Sequence, residues 1–125
     1  MFKNTPAFSS FSVPDIPKAK DFYSRVLGLD VDQTPEGLEL NLAGGTKVFV
    51  YVSDDPPPGD TLLNFVVEDI DAAIDGLAER GVRMEHYDWP DIKTDERGVC
   101  RGERGPKAIA WFKDPAGHIL SVIQE

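Results

Sequence analysis

The sequence predicts an α+β fold built from two βαβββ modules. Three observations predict it: a short motif occurs twice, about half a chain apart; each copy begins an amphipathic helix; and strand-like segments surround both helices. The length of 125 residues fits one domain, with modules at about 1–55 and 60–125 joined by a proline-rich linker at 53–60.

The repeated motif is V-x-D-I-x-x-A. It covers residues 13–19 and again residues 67–73. Asp15 and Asp69 suit the N-cap position, because a carboxylate accepts hydrogen bonds from exposed backbone N–H groups and favours the positive end of a helix. The motif therefore predicts a strand-to-helix junction in each half.

Both helices carry apolar residues at spacings of three and four, which place them on one face. These residues are Ile16, Ala19, Phe22, Tyr23 and Val26 in the first half, and Ile70, Ala73, Ile74 and Leu77 in the second. Gly28 and Gly81 follow the last turns, where a left-handed residue commonly ends a helix. We expect each apolar face to pack against the strands of its own module.

Strand-like segments lie before and after each helix. We expect strands near 7–13, 29–34, 38–43 and 46–52 in the first half, and near 61–67, 82–88, 107–113 and 118–124 in the second. Asp114-Pro115-Ala116-Gly117 predicts a tight turn between the last two strands. His118, which follows that turn, is interpreted as a turn residue.

Residues 90–106 are interpreted as a long irregular loop. The loop is locally basic in an acidic chain, with Lys93, Arg97, Arg101 and Arg104. It is either a lid that attracts an anionic ligand or a solvated loop.

Composition excludes several classes of partner. The net charge of −9 repels phosphate backbones and anionic membranes, so we expect no nucleic-acid or membrane partner. A single cysteine, Cys100, rules out an internal disulfide and fits a reducing compartment. No apolar segment resembles a signal peptide or is long enough to span a bilayer, so we expect a cytoplasmic protein.

Side chains alternate between the two faces of a strand. The faces under the helices should carry Phe11, Val13, Leu63, Phe65 and Val67. The opposite faces then present Phe8 and Ser10 in the first half, and Leu62 and Asn64 in the second. An apolar surface with a few polar groups is typical of a small-molecule site, although the polar residues also fit ordinary hydrogen-bonded sheet positions.

Two stretches of the sequence resemble a known family. Residues 13–29, with their F-Y-x-x-V-L-G-L ending, and residues 112–118, F-K-D-P-A-G-H, are similar to the signatures of the vicinal oxygen chelate superfamily. That group includes glyoxalase I, extradiol dioxygenases, fosfomycin-resistance enzymes and bleomycin-binding proteins. The resemblance implies a cupped mixed sheet of the glyoxalase/bleomycin resistance/dihydroxybiphenyl dioxygenase-like fold, and commonly a homodimer.

The resemblance also implies where metal ligands should be. Catalytic members bind a divalent metal with His on the first strand and Glu or Gln on the last strand of each half. The matching positions here are Phe8, Leu62, Ser121 and a strand at 46–53 that contains no His, Asp, Glu or Gln. Hydrocarbon side chains donate nothing to a metal, and a serine hydroxyl is a poor ligand for zinc, iron or manganese. We therefore expect neither a metal nor another cofactor.

The leading functional hypothesis is a metal-independent protein that sequesters or senses an apolar or aromatic small molecule. The residues expected to bind this ligand are Phe8, Ser10, Tyr51, Leu62, Asn64, Trp111 and Ser121. The alternative is a glyoxalase-like lyase or a dioxygenase-type enzyme with non-standard active-site residues. A protein-interaction domain without a ligand is a third hypothesis.

An enzyme would need other reactive groups. His86 beside Asp88 is a possible general base, and Cys100 among arginines a possible nucleophile. Because the sequence defines no catalytic partner for either residue, an ordinary surface or core role is favoured for both. The sequence leaves open which of Trp111 and Phe112 faces the ligand.

Overall fold

The computed structural model describes residues 1–102 and 107–125. The chain divides into two compact units, Met1–Pro57 and Pro58–Glu125. Within the described residues, each unit contains a four-stranded mixed sheet and a main helix in the order β-α-β-β-β. The predicted α+β fold of two βαβββ modules is confirmed. That both modules belong to a single domain stays a prediction.

In the first unit, the first and last strands lie side by side. The strand order is β1-β4-β3-β2, in which β1 runs parallel to β4 and the other pairs are antiparallel. The elements are β1 (Ser9–Val13), α1 (Ile16–Asp21), β2 (Asp30–Thr34), β3 (Gly37–Asn41) and β4 (Lys47–Val52).

The helix of the first unit begins where its cap predicts. The Asp15 carboxylate accepts a hydrogen bond from the Lys18 N–H at 3.0 Å. After α1 the chain continues through a π-helical turn, Phe22–Val26, in which the Leu27 N–H donates to the Phe22 carbonyl oxygen at 2.9 Å. The buried residues of this unit lie on the predicted faces of β1 and the helix and on β3 and β4: Phe11, Val13, Ala19, Phe22, Tyr23, Val26, Leu38, Leu40, Val48 and Val50.

The second unit repeats this arrangement. The strand order is β5-β8-β7-β6, and β5 runs parallel to β8. The elements are β5 (Thr61–Val66), α2 (Ile70–Glu79), β6 (Val99–Cys100), β7 (Ala108–Lys113) and β8 (Ile119–Gln124). Asp69 caps α2 by accepting from the N–H groups of Asp71 and Ala72 at 3.0 and 3.2 Å. Both predicted N-caps are therefore confirmed.

The predicted strand at 82–88 is wrong. Met84 forms an isolated bridge with Phe112, and the Glu85 N–H donates to the Trp111 carbonyl oxygen at 2.8 Å. The strand paired with β7 is instead β6, which lies inside the region interpreted as an irregular loop. A turn at Asp95 brings the chain back to β7 at β6. One edge of β7 is therefore paired with two short segments, residues 84–85 and β6, and not with one continuous strand.

The turn between β7 and β8 is confirmed. The Asp114 carboxylate accepts from the N–H groups of Ala116 at 3.0 Å and of His118 at 2.8 Å. The His118 Nδ1–H donates to the second carboxylate oxygen at 2.9 Å, and both side chains are buried. His118 is therefore a turn residue, as interpreted from the sequence.

No helix in the described part of the chain combines the length and apolar character needed to cross a membrane.

Candidate functional site

The face of the first sheet that lies opposite α1 is called the open face here. Strand pairing defines its members, because paired residues on neighbouring strands point to the same side. Ser10 pairs with Phe49, Phe49 with Glu39, and Glu39 with Asp32. By the same pairing and alternation, the open face carries Phe8, Ser10, Ser12, Lys47, Phe49, Tyr51, Glu39, Asn41, Asp30 and Asp32.

A cavity of about 320 Å³ opens on this face, lined by Phe8, Glu39, Lys47 and Phe49. Its volume lies at the lower end of the range for small-molecule pockets, roughly 300–1,000 Å³. The Phe8 side chain is 71% exposed, an unusual state for a phenylalanine beside a sheet. The Phe49 and Tyr51 rings stack with centroids 6.3 Å apart and planes at 16°, which extends the aromatic surface along β4.

Two of the carboxylates on the open face have side-chain partners on the neighbouring strand. Lys47 Nζ lies 2.6 Å from Glu39 Oε1, and the Asn41 amide donates to Asp32 at 3.0 Å. The hydrogen bond and charge of Glu39 raise the pKa of Lys47, and the charge of Asp32 adds to the effect. The open face is therefore aromatic along β1 and β4 and acidic along β3 and β2.

The second unit brings three predicted site residues into one row. Asn64 pairs with Ser121, and Ser121 pairs with Trp111. The Ser121 hydroxyl is fully buried and donates to Asn64 Oδ1 at 2.5 Å. Since Asn64 is exposed and its oxygen is occupied, its amide N–H groups are the ones presented outside the sheet.

Trp111 belongs to a ladder of three aromatic rings. Tyr87 contacts Trp111 edge-on at 5.5 Å, and Trp89 stacks on Tyr87 at 4.5 Å. Trp111 is buried and Trp89 is half exposed. Burial raises the pKa of the Tyr87 hydroxyl. The adjacent Phe112 is buried on the opposite face of β7, because neighbouring residues of a strand point to opposite sides. Which of the two rings faces a ligand stays a prediction.

The predicted site residues thus fall into two groups, one on each sheet. Phe8, Ser10 and Tyr51 share the open face of the first unit, and Asn64, Trp111 and Ser121 share one face of the second. Leu62 is half-buried at a register shift between β5 and β8, so strand pairing does not assign its direction. Whether these residues bind a ligand stays a prediction.

Sequence reasoning missed three of the residues that line the cavity, Glu39, Lys47 and Phe49. Lys47, Phe49 and Tyr51 alternate along one strand, so Phe49 was detectable from the period of two. The position of Glu39 depends on the pairing of β3 with β4, which no local pattern reveals.

Comparison with known proteins gives the family. The model of the Glyoxalase/Bleomycin resistance protein/Dioxygenase superfamily matches residues 8–122. This chain belongs to that superfamily. No functionally curated protein matches the sequence significantly.

Solved structures of this superfamily have the same fold. A glyoxalase family protein from Enterococcus faecalis is 25% identical, with a TM-score of 0.68 over 98% of this chain and 99% of that chain. TnmS3, an antibiotic binding protein from Streptomyces sp. CB03234, is 27% identical, with a TM-score of 0.62 over 97% of each chain. The fosfomycin resistance protein FosX from Listeria monocytogenes shares the fold at 12% identity, with a TM-score of 0.72 over 98% of this chain and 93% of that chain.

The residues of this glyoxalase-superfamily chain do not fit the divalent metal of its catalytic relatives. Phe8 and Leu62 are hydrocarbon and have no electron pair to donate, and a neutral serine hydroxyl such as that of Ser121 is a poor ligand for zinc, iron or manganese. Within residues 1–102 and 107–125, no three His, Cys, Asp or Glu side chains are grouped as a metal site requires.

The two other candidate reactive residues of this superfamily member, His86 and Cys100, contact the backbone of their own unit. His86 Nε2 donates to the Glu96 carbonyl oxygen at 3.0 Å, and its side chain is exposed. Cys100 is half-buried on β6, where it pairs with Ile109.

The basic loop is tied to α2. Arg97 lies 2.6 Å from Asp75 and 3.4 Å from Asp71, and Arg101 lies 3.8 Å from Asp71. These arginines therefore neutralise carboxylates of their own unit, which favours the solvated-loop interpretation over an anion-attracting lid. Arg104 lies outside the described residues.

Proposed function

We propose that this glyoxalase-superfamily chain is a metal-independent protein that sequesters or senses an apolar or aromatic small molecule. The observation that carries the proposal concerns Phe8. This phenylalanine lines the cavity of the open face and also occupies the position at which the superfamily resemblance expects a metal-binding histidine. A hydrocarbon ring there contributes apolar contact area and no electron pair for a cation.

Two further observations support a binding role. Phe49 and the stacked Tyr51 continue the aromatic surface of the cavity, and flat rings stack well on such surfaces. TnmS3, at 27% identity, is described as an antibiotic binding protein. We infer a comparable role here, with an apolar or aromatic ligand.

The second sheet supplies a different set of groups. The amide N–H groups of Asn64, oriented by Ser121, lie in the same row as the Trp111 ring. We propose that this row also binds ligand, by hydrogen bonding to an acceptor and by ring contact. Leu62 completes the proposed set of contact residues.

We further propose a homodimer in a reducing, cytoplasmic compartment, since dimers are common in this superfamily and the chain carries one cysteine. Light scattering coupled to gel filtration should give twice the mass of one chain. A monomer mass across the micromolar range would refute the dimer.

The test of the binding role combines metal analysis with a matched pair of phenylalanine variants. Elemental analysis of protein purified without chelator should show no stoichiometric metal. Titration calorimetry with 1-naphthalenemethanol should show binding that Phe8→Ser weakens about fivefold, the equivalent of roughly 1 kcal/mol of lost apolar contact. Phe2→Ser is the control, because Phe2 is equally exposed at 70% and is not among the lining residues.

Two results would contradict the proposal. One is a stoichiometric metal that is lost when Ser121 is replaced. The other is an affinity for 1-naphthalenemethanol that Phe8→Ser leaves unchanged, or that both variants reduce equally.

A further inference from the structure

We propose that the cavity of the open face selects organic cations, with Glu39 as the carboxylate that receives a protonated amine and the aromatic rings as the wall for the rest of the molecule. This inference rests on the proposed binding function and names the class of ligand that the site would take.

Glu39 is the fixed charge of the cavity. It lies within β3, which is paired on one side with β4 and on the other with β2, so strands on both sides set its backbone position. Its side chain is 29% exposed, whereas that of Lys47 is 59% exposed. The carboxylate is therefore held at the cavity wall, and the lysine ammonium reaches it from solvent on a long flexible stem.

The lysine ammonium occupies the position that a ligand amine would take. Both are compact cations that donate hydrogen bonds to Glu39 Oε1. When a ligand amine replaces it, the Lys47 ammonium can return to solvent, because its side chain is 59% exposed and flexible. The charge of Asp32 on the same face continues to favour the protonated lysine.

The balance of charge on the open face favours a cation over an anion. Three carboxylates, those of Asp30, Asp32 and Glu39, face one ammonium, that of Lys47, among the residues assigned to this face. An anionic ligand would have to take Lys47 from Glu39 and then face all three carboxylates, which like-charge repulsion opposes. The net charge of −9 adds a long-range attraction for cations.

The rings of the cavity complement the same class of ligand. Phe8 and Phe49 line the wall, and the face of an aromatic ring attracts a cation as well as another ring. A molecule with a flat apolar body and a protonated amine meets both features at once. A neutral hydrocarbon meets only the rings.

Three probes with the same naphthalene body separate charge from shape: 1-naphthylmethylamine, 1-naphthalenemethanol and 1-naphthoate. Calorimetry at pH 7 and low salt should show that the amine binds about fivefold more tightly than the alcohol and that the carboxylate binds most weakly. A fivefold preference is the size of effect that a partly screened ion pair provides. Added salt should reduce the preference for the amine.

Variants then assign the preference to Glu39. Glu39→Gln should bind the amine and the alcohol equally, and Lys47→Gln should bind the amine more tightly than the unaltered protein. Glu36→Gln is the matched control, because Glu36 is exposed in the β2–β3 turn and should leave all three affinities unchanged.

The failures are distinguishable. If the alcohol binds in a manner sensitive to Phe8→Ser but the amine has no advantage, or keeps its advantage in Glu39→Gln, the choice of ligand class is wrong and the binding function stands. If 1-naphthoate binds most tightly, the sign of the selection is wrong. If none of the probes binds, the proposed function falls, and this inference with it.

Discussion

Replacing Gly37 by alanine should destabilise the protein more than replacing Gly45 or Gly59 by alanine. Gly37 begins β3 with φ = +154°, and a Cβ atom built on it would lie 2.0 Å from the carbonyl oxygen of Val50. Real Cβ atoms essentially never approach another heavy atom so closely. The obstructing atom belongs to the backbone of β4, which is paired on both sides, so no side-chain rotation relieves the contact.

The expected cost follows from two contributions. A backbone conformation reserved for glycine costs about 1–3 kcal/mol, and forcing extra volume into a packed site costs about 1–3 kcal/mol. Together they predict a loss of about 2–6 kcal/mol in the free energy of unfolding. For a chain of this length, each kcal/mol lost lowers the melting temperature by about 3–5 °C.

Two control variants separate the contributions. Gly45 also has a positive φ, +85°, but nothing lies within 4 Å of its built Cβ, so Gly45→Ala should show only the conformational cost of about 1 kcal/mol. Gly59 has open space and no positive φ, so Gly59→Ala should change stability by less than about 0.5 kcal/mol. Urea unfolding followed by circular dichroism measures all three, because both tryptophans lie in the second unit and their fluorescence does not report directly on the first. The reasoning is refuted if Gly37→Ala costs no more than Gly45→Ala.

Three further predictions concern other contacts. Asn64→Ala should lower the free energy of unfolding by about 1–3 kcal/mol, and Ser121→Ala by roughly 0.5–1.5 kcal/mol. The first variant costs more because it leaves the buried Ser121 hydroxyl without its acceptor. A larger loss for Ser121→Ala in urea unfolding would contradict this. Asp69→Ala should lower the free energy of unfolding by about 1 kcal/mol through loss of the N-cap of α2, and an unchanged urea midpoint would argue against the cap. The N–H of Val99 holds the pKa of the Asp95 carboxyl below its usual range, so this group stabilises the fold above its unfolded pKa of about 4 and loses that effect as the pH falls through the folded value. Asp95→Asn should therefore cost less than about 1 kcal/mol at pH 7 and progressively less as the pH falls through the folded pKa of Asp95, and a difference that grows in acid would exclude this explanation.

The features that sequence predicted best depend on local chemistry. Asp15 and Asp69 cap helices because a carboxylate satisfies N–H groups only a few residues away. The alternation of β1 predicted which side is buried, since Phe11 and Val13 are covered while Ser10 is exposed. These signals need no knowledge of which strands pair.

The strand predicted at 82–88 is wrong because two segments compete for one edge of β7. Residues 84–85 and β6 both pair there, and the outcome is decided by the turn at Asp95, whose carboxylate accepts from the N–H groups of Arg97 and Val99. Asp95 and Gly98 together are typical of a turn. That signal was present in the sequence and would have indicated a second segment returning to the sheet.

The candidate site divides in the same way. Phe8, Ser10 and Tyr51 share a face because side chains alternate between the two faces of a strand, and this alternation can be read from the sequence. The hydrogen bond between Ser121 and Asn64 and the ion pair between Glu39 and Lys47 join different strands, so only the pairing of those strands reveals them. The same holds for the contacts between the basic loop and α2.

The divided outer edge of β7 also bears on how this protein behaves at high concentration. An uninterrupted outermost strand presents a row of unsatisfied N–H and C=O groups that can recruit the same strand from another molecule and start fibrous growth. Here the outermost strand of the sheet is β6, with only two residues, and beside it lies the single bridge of Met84. Segments this short give an incoming chain too few positions to pair with, so this edge of the second sheet is protected against polymerisation.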